Sequence, residues 1–214
     1  LEPPWLDIAD FHSRLRMNSG PRRIFRPQVF FQLDGATHLA PFPQDHALPL
    51  FEWGWNFAIA GRANHFLILH TAVVAKKDRA LILPGTPGSG KSTLCAALTL
   101  RGWRLLSDEF ALVRPADSLI FPLARPVALK NQSIPVICDF DKRAILGIEY
   151  PKTRKGTVAH LQPAADSIRL MDQPARPTWV VCPRYQAGQA PVLRPIPKEQ
   201  AFLRIAANAF NYET

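Results

Sequence analysis

The chain has 214 residues, with 26 Lys+Arg against 17 Asp+Glu, a formal charge of +9, and 47% hydrophobic content. That length and apolar share support a sizeable core, and exclude a disulfide-stapled miniprotein and a disordered charged tail. Twenty-one prolines argue against a long-helix bundle, because each lacks the amide donor that a helix interior needs. The three cysteines, Cys95, Cys138 and Cys182, show no metal or CxxC spacing and predict free thiols in a reducing cytoplasm. The start is acidic and proline-broken, unlike a secretory signal, and the most apolar run, 66 to 75, is too short to cross a membrane. The opening Leu1 and the uncapped apolar ending read as the ordered part of something longer. The basic residues form no stripe and accompany no nucleic-acid motif, so a polyphosphate and an acidic substrate account for the charge better than nucleic acid does.

Residues 1 to 45 read as a proline-rich N-terminal segment packing on a core domain that spans 46 to 214. Within it, 8 to 15 predicts a short helix, 27 to 33 alternates as a strand, and Asp34-Gly35 is a turn signal. Residues 48 to 62 are apolar at helical spacing and predict a buried helix ended by Gly61. Residues 65 to 75 and 80 to 84 read as strands joined at 76 to 78, the second apolar enough to be covered on both faces. A helix follows over 91 to 101, stopped by Gly102, and then strands over 103 to 107 and 109 to 113. Short strands are expected at 118 to 122, 126 to 130, 157 to 162, 178 to 183 and 191 to 195, and a last helix at 197 to 210. Residues 140 to 156, polar and basic, read as a mobile loop.

The chemistry concentrates at Gly85-Thr86-Pro87-Gly88-Ser89-Gly90-Lys91-Ser92, which fits G-x-x-x-x-G-K-[ST] at every position. A buried strand precedes it and a helix follows, the context such a phosphate-cradling P-loop needs. Its glycines turn backbone amides inward around phosphate oxygens, and the helix N-terminus adds partial positive charge. Lys91 would reach the β- and γ-phosphates and Ser92 would ligate Mg²⁺. Asp108 and Glu109 follow the next apolar strand, 17 residues after Lys91 in the case of Asp108, as Mg²⁺-side acids. That gap holds one helix and one strand, so the acid-bearing strand directly follows the P-loop helix. His70 lies 15 residues ahead of Gly85, and a hairpin of 65 to 75 with 79 to 84 brings it beside the reaction centre. Lys130, Lys155 and Arg184 are candidates for a second cation or substrate contact. The remaining histidines show no metal spacing, and the five tryptophans read as core or interface anchors.

The stretch HTAVVAKKDRALILPGTPGSGKSTLCAALTLRGWRLLSDEFALV resembles the core of HPr kinase/phosphorylase, and more narrowly the HPr-kinase-related proteins called HprK-related kinase A. The resemblance covers about 50 to 114 firmly and 126 to 210 loosely. It implies an α/β fold, a mixed P-loop sheet flanked by helices and shared with phosphoenolpyruvate carboxykinase, and ATP- and Mg²⁺-dependent phosphoryl transfer to a hydroxyl, usually serine. It implies that Gly85, Gly88, Gly90, Lys91, Ser92 and Thr93 hold triphosphate and metal, that Asp108 is the base or metal-side carboxylate, and that His70 neighbours it. Related kinases tend to associate, so a homo-oligomer is expected. Two residues depart from the true HPr kinases: Glu109 stands where the second acid is aspartate, and Thr153 where a metal-binding glutamate would stand, while Lys155 and Gly156 match the basic-glycine step. Two other classes remain open. One is a nucleotide-binding module that presents a peptide without phosphorylating it, which would need no base. The other is a regulatory GTPase, against which stands the lack of an N-K-x-D motif.

Overall fold

Alternation decides the first sheet. The computed structural model describes residues 11–211, and the chain divides into two units, Leu1–Asn64 and His65–Thr214. In the first, β1 (Ser13–Met17), α1 (Arg22–Phe25), β2 (Gln28–Leu33), β3 (Ala36–Thr37) and β4 (Phe42–Pro43) precede α2 (Ala47–Arg62). Val29, Phe31 and Leu33 of β2 are buried, and the residues between them are only half-buried. The buried face meets Leu50 and Ala58 of α2, each large side chain contributing roughly 1.5–3 kcal/mol by leaving water. Gly54 lets α2 come close, since a Cβ there would run into the Phe31 ring. Asp34 and Gly35 both have positive φ, +48° and +82°, the geometry of a tight two-residue hairpin turn, and they join β2 to β3.

The helix expected over 8 to 15 is not what forms. Residues 8 to 10 lie outside the described residues, and Ser13–Met17 is a strand paired with β2 in unbroken register, from Ser13↔Leu33 to Met17↔Val29. A two-turn helix is marginal by itself, so a complete ladder with a buried strand prevails. Gly61 does not end the following helix either. Its last turn includes Gly61 and closes where Ala63 N–H donates to the Ile59 carbonyl at 3.0 Å. The division between units falls after Asn64, so α2 is grouped with the N-terminal sheet.

The second unit contains β5 (Leu67–Lys76), β6 (Arg79–Pro84), α3 (Lys91–Leu100), β7 (Arg104–Ser107), β8 (Phe110–Val113), β9 (Ile120–Phe121) and β10 (Val127–Lys130). It continues through α4 (Ser133–Phe140), β11 (Tyr150–Thr153), β12 (Gly156–Leu161), α5 (Ala165–Arg169), β13 (Arg176–Val180) and α6 (Lys198–Ala206). A six-stranded mixed sheet runs β13-β6-β5-β8-β9, with β7 sharing the β8 edge of β5. β5 is long enough to pair with β8 through its first half and with β7 through its second. Only β13 against β6 is parallel.

Along β5 the side chains alternate. Ala72 and Val74 face α3, the separate β10-β12-β11 sheet and α4, packing on Cys95, Leu129 and Ile137. Leu69, Val73 and Ala75 face the other way and pack with Ile82, Leu106 and Ile120, with Ile205 and Ala209 against them. The central strands are thus covered on both faces, as their apolar composition predicted.

Three further expectations need correcting. The loop expected over 140 to 156 contains the end of α4, β11 and its hairpin to β12, tied by Gly147 N–H to the His160 carbonyl at 2.9 Å and Gln162 N–H to Ile145 at 2.9 Å. Its polar composition reflects exposure on one side of a paired strand. No strand forms over 191 to 195, where Val192 and Leu193 are exposed and prolines flank the run. The last helix is shorter than 197 to 210. After Ala206 the chain turns back, and residues 208–211 bond to the start of β5. Among the described residues, no helix is long and apolar enough to cross a membrane.

Candidate functional site

The register of β5 assembles the site. Thr71 opposes Pro84 at the end of β6 on one side, and its N–H donates to the Glu109 carbonyl at 3.1 Å on the other. Both chains leave the sheet at this level. The glycine-rich loop that follows β6 and the acid pair that follows β7 therefore share one sheet edge, with a single strand between them. Two strand spacings put them about 10 Å apart.

The loop is shaped by backbone conformations that disfavour side chains. Gly88 and Gly90 have φ of +82° and +94°. A Cβ on Gly90 would lie 3.3 Å from Tyr185 Cβ, and one on Gly85 would lie 2.7 Å from Ser89 Oγ. Tyr185 N–H donates to the Ser89 carbonyl at 3.1 Å, so the segment after β13 braces the loop from outside. The Ser89 hydroxyl is buried without a partner. The first-turn amides of α3, at Lys91, Ser92 and Thr93, have no intrahelical acceptor. Lys91 is buried and folds back over the loop, donating to the Gly85 carbonyl at 2.6 Å and to Thr86 at 3.2 Å. Burial lowers its pKa, with Lys130 adding to the effect and Glu109 and Asp108 opposing it.

The acids occupy the break between β7 and β8. Ser107 makes the bend, its hydroxyl accepting from Phe110 N–H at 3.1 Å and from Glu109 N–H at 3.3 Å. Asp108 is 8% exposed. Its Oδ2 accepts from Ala128 N–H of β10 at 3.2 Å, and the nearby Ser92 hydroxyl helps to stabilise the ionised carboxylate. Its Oδ1 is buried with no partner. Burial, reinforced by the Glu109 charge, lifts the Asp108 carboxyl from 3.8 to about 7, against the pull of Ser92, Lys130 and the Ala128 amide.

His70 pairs in register with Phe110, which places its ring beside Glu109, Nδ1 to Oε2 3.7 Å. Nδ1 makes no hydrogen bond, and the Phe210 ring stands edge-on at 5.7 Å. The pKa of His70 is lowered, chiefly by burial and then by Lys91, Lys155 and Lys130, with Glu109 opposing. Those charges place both Lys130 and Lys155 within electrostatic reach of the centre. Asn131 fixes their relation: its N–H donates to the Thr157 carbonyl at 2.9 Å and its Oδ1 accepts from Thr157 N–H at 3.0 Å, stitching the β10–α4 turn to the β11–β12 hairpin. Gly156 is required there, because a Cβ would strike the Asn131 amide. Thr153 caps this hairpin, accepting from Lys155 N–H at 3.1 Å and donating to the Gly156 carbonyl at 2.7 Å. Arg184 is different. Its neighbours Pro183 and Tyr185 lie along the glycine-rich loop, while its own side chain is exposed.

The structure thus brings together the loop, Lys91, Ser92, Asp108, Glu109 and His70, with Lys130 and Lys155 close by. Sequence reasoning missed the Ala128 amide and the tail, where Asn208 accepts from His70 N–H at 2.6 Å. A backbone amide carries no residue signature, and a contact across 138 residues leaves no local pattern. Chemically, inward amides with a buried ammonium suit an anion. Ser92 with an open carboxylate oxygen suits a hard cation of the Mg²⁺ kind, which takes few protein ligands beside substrate phosphates. Among the described residues, no three His, Cys, Asp or Glu side chains gather as a metal site. Burial pushes the Cys95 thiol, beneath α3, well up, leaving it an inert packing group. No protein-family profile, no curated protein and no solved structure matches this chain.

Proposed function

We propose that the chain is a P-loop kinase of the HPr kinase/phosphorylase-like kind, working in the cytoplasm. It would transfer the γ-phosphoryl group of ATP, with Mg²⁺, to a hydroxyl, serine foremost, of a peptide, protein or small-molecule acceptor. The observation that carries this reading is the buried Asp108 carboxylate, which stands one strand away from the glycine-rich loop and feels Ser92 on the first turn of α3. A loop that only bound an anion would have no need of a carboxyl lifted to about 7 beside it.

In this reading Gly85, Thr86, Pro87, Gly88, Ser89 and Gly90 cradle the triphosphate with the first-turn amides of α3, Thr93 among them. Ser92, Asp108 and Glu109 would hold Mg²⁺, which neutralises charge on the β- and γ-oxygens when bound. Lys91 exchanges its loop carbonyls for phosphate oxygens and offsets the charge that accumulates on the leaving group. The acceptor oxygen forms a bond to the γ-phosphorus as the bond to the β–γ bridging oxygen breaks, giving ADP. Asp108 takes the hydroxyl proton, and His70 and Glu109 beside it set the local field. Lys130 and Lys155 add positive charge on the acceptor side.

The test is incubation of the full chain with ATP, Mg²⁺ and a library of hydroxyl-bearing peptides, read by mass spectrometry for gain of one phosphoryl group. A Lys91→Ala sample should give none. ATP binding with no transfer to any hydroxyl would instead make the chain a nucleotide-binding module.

A further inference from the structure

We propose that the outer edge of β1 docks an extended acidic peptide, which adds to the N-terminal sheet as a strand with carboxylates at every second residue. Among the described residues, β1 is the terminal strand of its sheet and pairs only with β2. The pairing pattern shows which backbone groups are left over. Asn18 N–H donates to Gln28 at 3.0 Å and Asp34 N–H donates to His12 at 2.8 Å, so the even-numbered residues of β1 face β2. By the alternation of an antiparallel ladder, the N–H and C=O groups of Ser13, Leu15 and Met17 face outward. None of them bonds to another described residue, and the register carries no bulge. An edge of this kind is a template for another strand.

Charge selects the occupant. Between residues 11 and 33 the sequence holds five arginines, at 14, 16, 22, 23 and 26, and not one Asp or Glu. Arg14 and Arg16 lie on one face of β1, two residues apart and exposed. Gln32 Oε1 accepts from Arg14 Nε at 2.8 Å and steadies that guanidinium, and Arg16 has no ion pair among the described residues. An added strand places side chains of the same parity opposite Arg14 and Arg16, so its acids must fall at i and i+2. The other face of β1 turns toward α2, where Trp55 Nε1 donates to the Ser13 hydroxyl at 3.1 Å. At the Met17 end, Ile24 and Phe25 are 79% and 81% exposed in an otherwise basic turn, an apolar stop for a hydrophobic residue at the end of the peptide. Nucleic acid and lipid headgroups share the negative charge but carry no strand backbone to meet Ser13, Leu15 and Met17. Edge arginines can also serve only to keep copies of a chain from pairing, and the experiment separates that case from docking.

The probe is a fluorescein-labelled peptide GTEVEVEVLFG, titrated against the full chain without nucleotide and followed by anisotropy. This proposal therefore fails or stands apart from phosphoryl transfer. Saturable binding that weakens with salt is expected. The double variant Arg14→Glu/Arg16→Glu should weaken it about tenfold or more, since two cross-strand pairs turn from attraction to repulsion. The double variant should instead bind the lysine counterpart, GTKVKVKVLFG. Leu15→Pro should weaken binding about fivefold or more, because it deletes an outward donor without removing a bond to β2. Thermal melts check that both variants fold, and the charge reversal serves if the proline variant does not. The proposal is overturned by any of three results: no binding at millimolar peptide, equal affinity for a peptide with the same glutamates placed side by side, or unchanged affinity in the folded variants. Tighter binding to anionic vesicles or to single-stranded DNA, insensitive to Leu15→Pro, would also overturn it.

Discussion

Asp108→Asn should stabilise the protein while abolishing phosphoryl transfer. The carboxyl is buried and lifted from 3.8 to about 7, first by loss of solvation and then by Glu109. In the unfolded chain it ionises near its ordinary value, so between about pH 4 and 7 the unfolded state sheds its proton first. Stability present below pH 4 is thus lost as pH rises through 7, and the loss is complete above it. A displacement from 3.8 to about 7 corresponds to about 4 kcal/mol at 1.36 kcal/mol per unit. Asparagine keeps the shape and never ionises. Its Oδ1 accepts from Ala128 N–H, and its amide can donate to Ser92 Oγ. The variant should therefore gain up to about 4 kcal/mol over the parent at pH 8, and almost nothing at pH 4. At roughly 2–4 °C per kcal/mol for a chain of this size, the gain is readable in melting curves. Urea or thermal melts of both proteins at pH 5 and pH 8, in chelator so that no divalent ion binds the carboxylate, give the difference. His70 titrates with the opposite sign because its pKa is lowered, but it is present in both proteins and largely cancels. A difference that does not change with pH, or an asparagine variant less stable at pH 8, would refute the argument that this site holds an ionised group against its solvation.

Lys91→Ala should lower the transfer rate by about 10² to 10³ or more, because a preorganised charge at the migrating phosphoryl group is lost; single-turnover kinetics measure it. Gly90→Ala should cost about 1–2 kcal/mol of stability, since φ is +94° and the added methyl sits 3.3 Å from Tyr185, and should weaken ATP binding in calorimetry. Gly54→Ala should destabilise by about 1–3 kcal/mol in urea unfolding, because its methyl drives the Phe31 ring out of the first core.

The local devices were legible in the chain. G-x-x-x-x-G-K-S bounded by a buried strand and a helix, an acid pair at a strand end, and a hairpin between 76 and 79 are each written within a few consecutive residues. For that reason the loop, α3 and the β5–β6 pairing could be read in advance, whereas the acid-bearing strand, expected to adjoin the loop strand, lies beyond β5 because β5 is long enough to pair with both. The surface of the second half was harder. Residues 150–153 look like loop because an edge strand with one wet side carries a polar composition, and α4 begins with a proline in its first turn, where a missing amide costs nothing. Val192 and Leu193 read as a strand, yet a strand requires a partner, and none reaches them among the described residues.

What the amino-acid order determined alone was conformational: which glycines must adopt positive φ, which runs alternate, and where Lys91 and Ser92 stand on the first turn of a helix. Tertiary structure decided the electrostatics. Only the pairing of β5 with β6, β7 and β8 sets the loop beside the acids, and only the second sheet delivers the Ala128 amide to Asp108. Burial of a carboxyl, and hence its proton affinity, is a property of everything packed around it. No stretch of neighbouring residues encodes that packing.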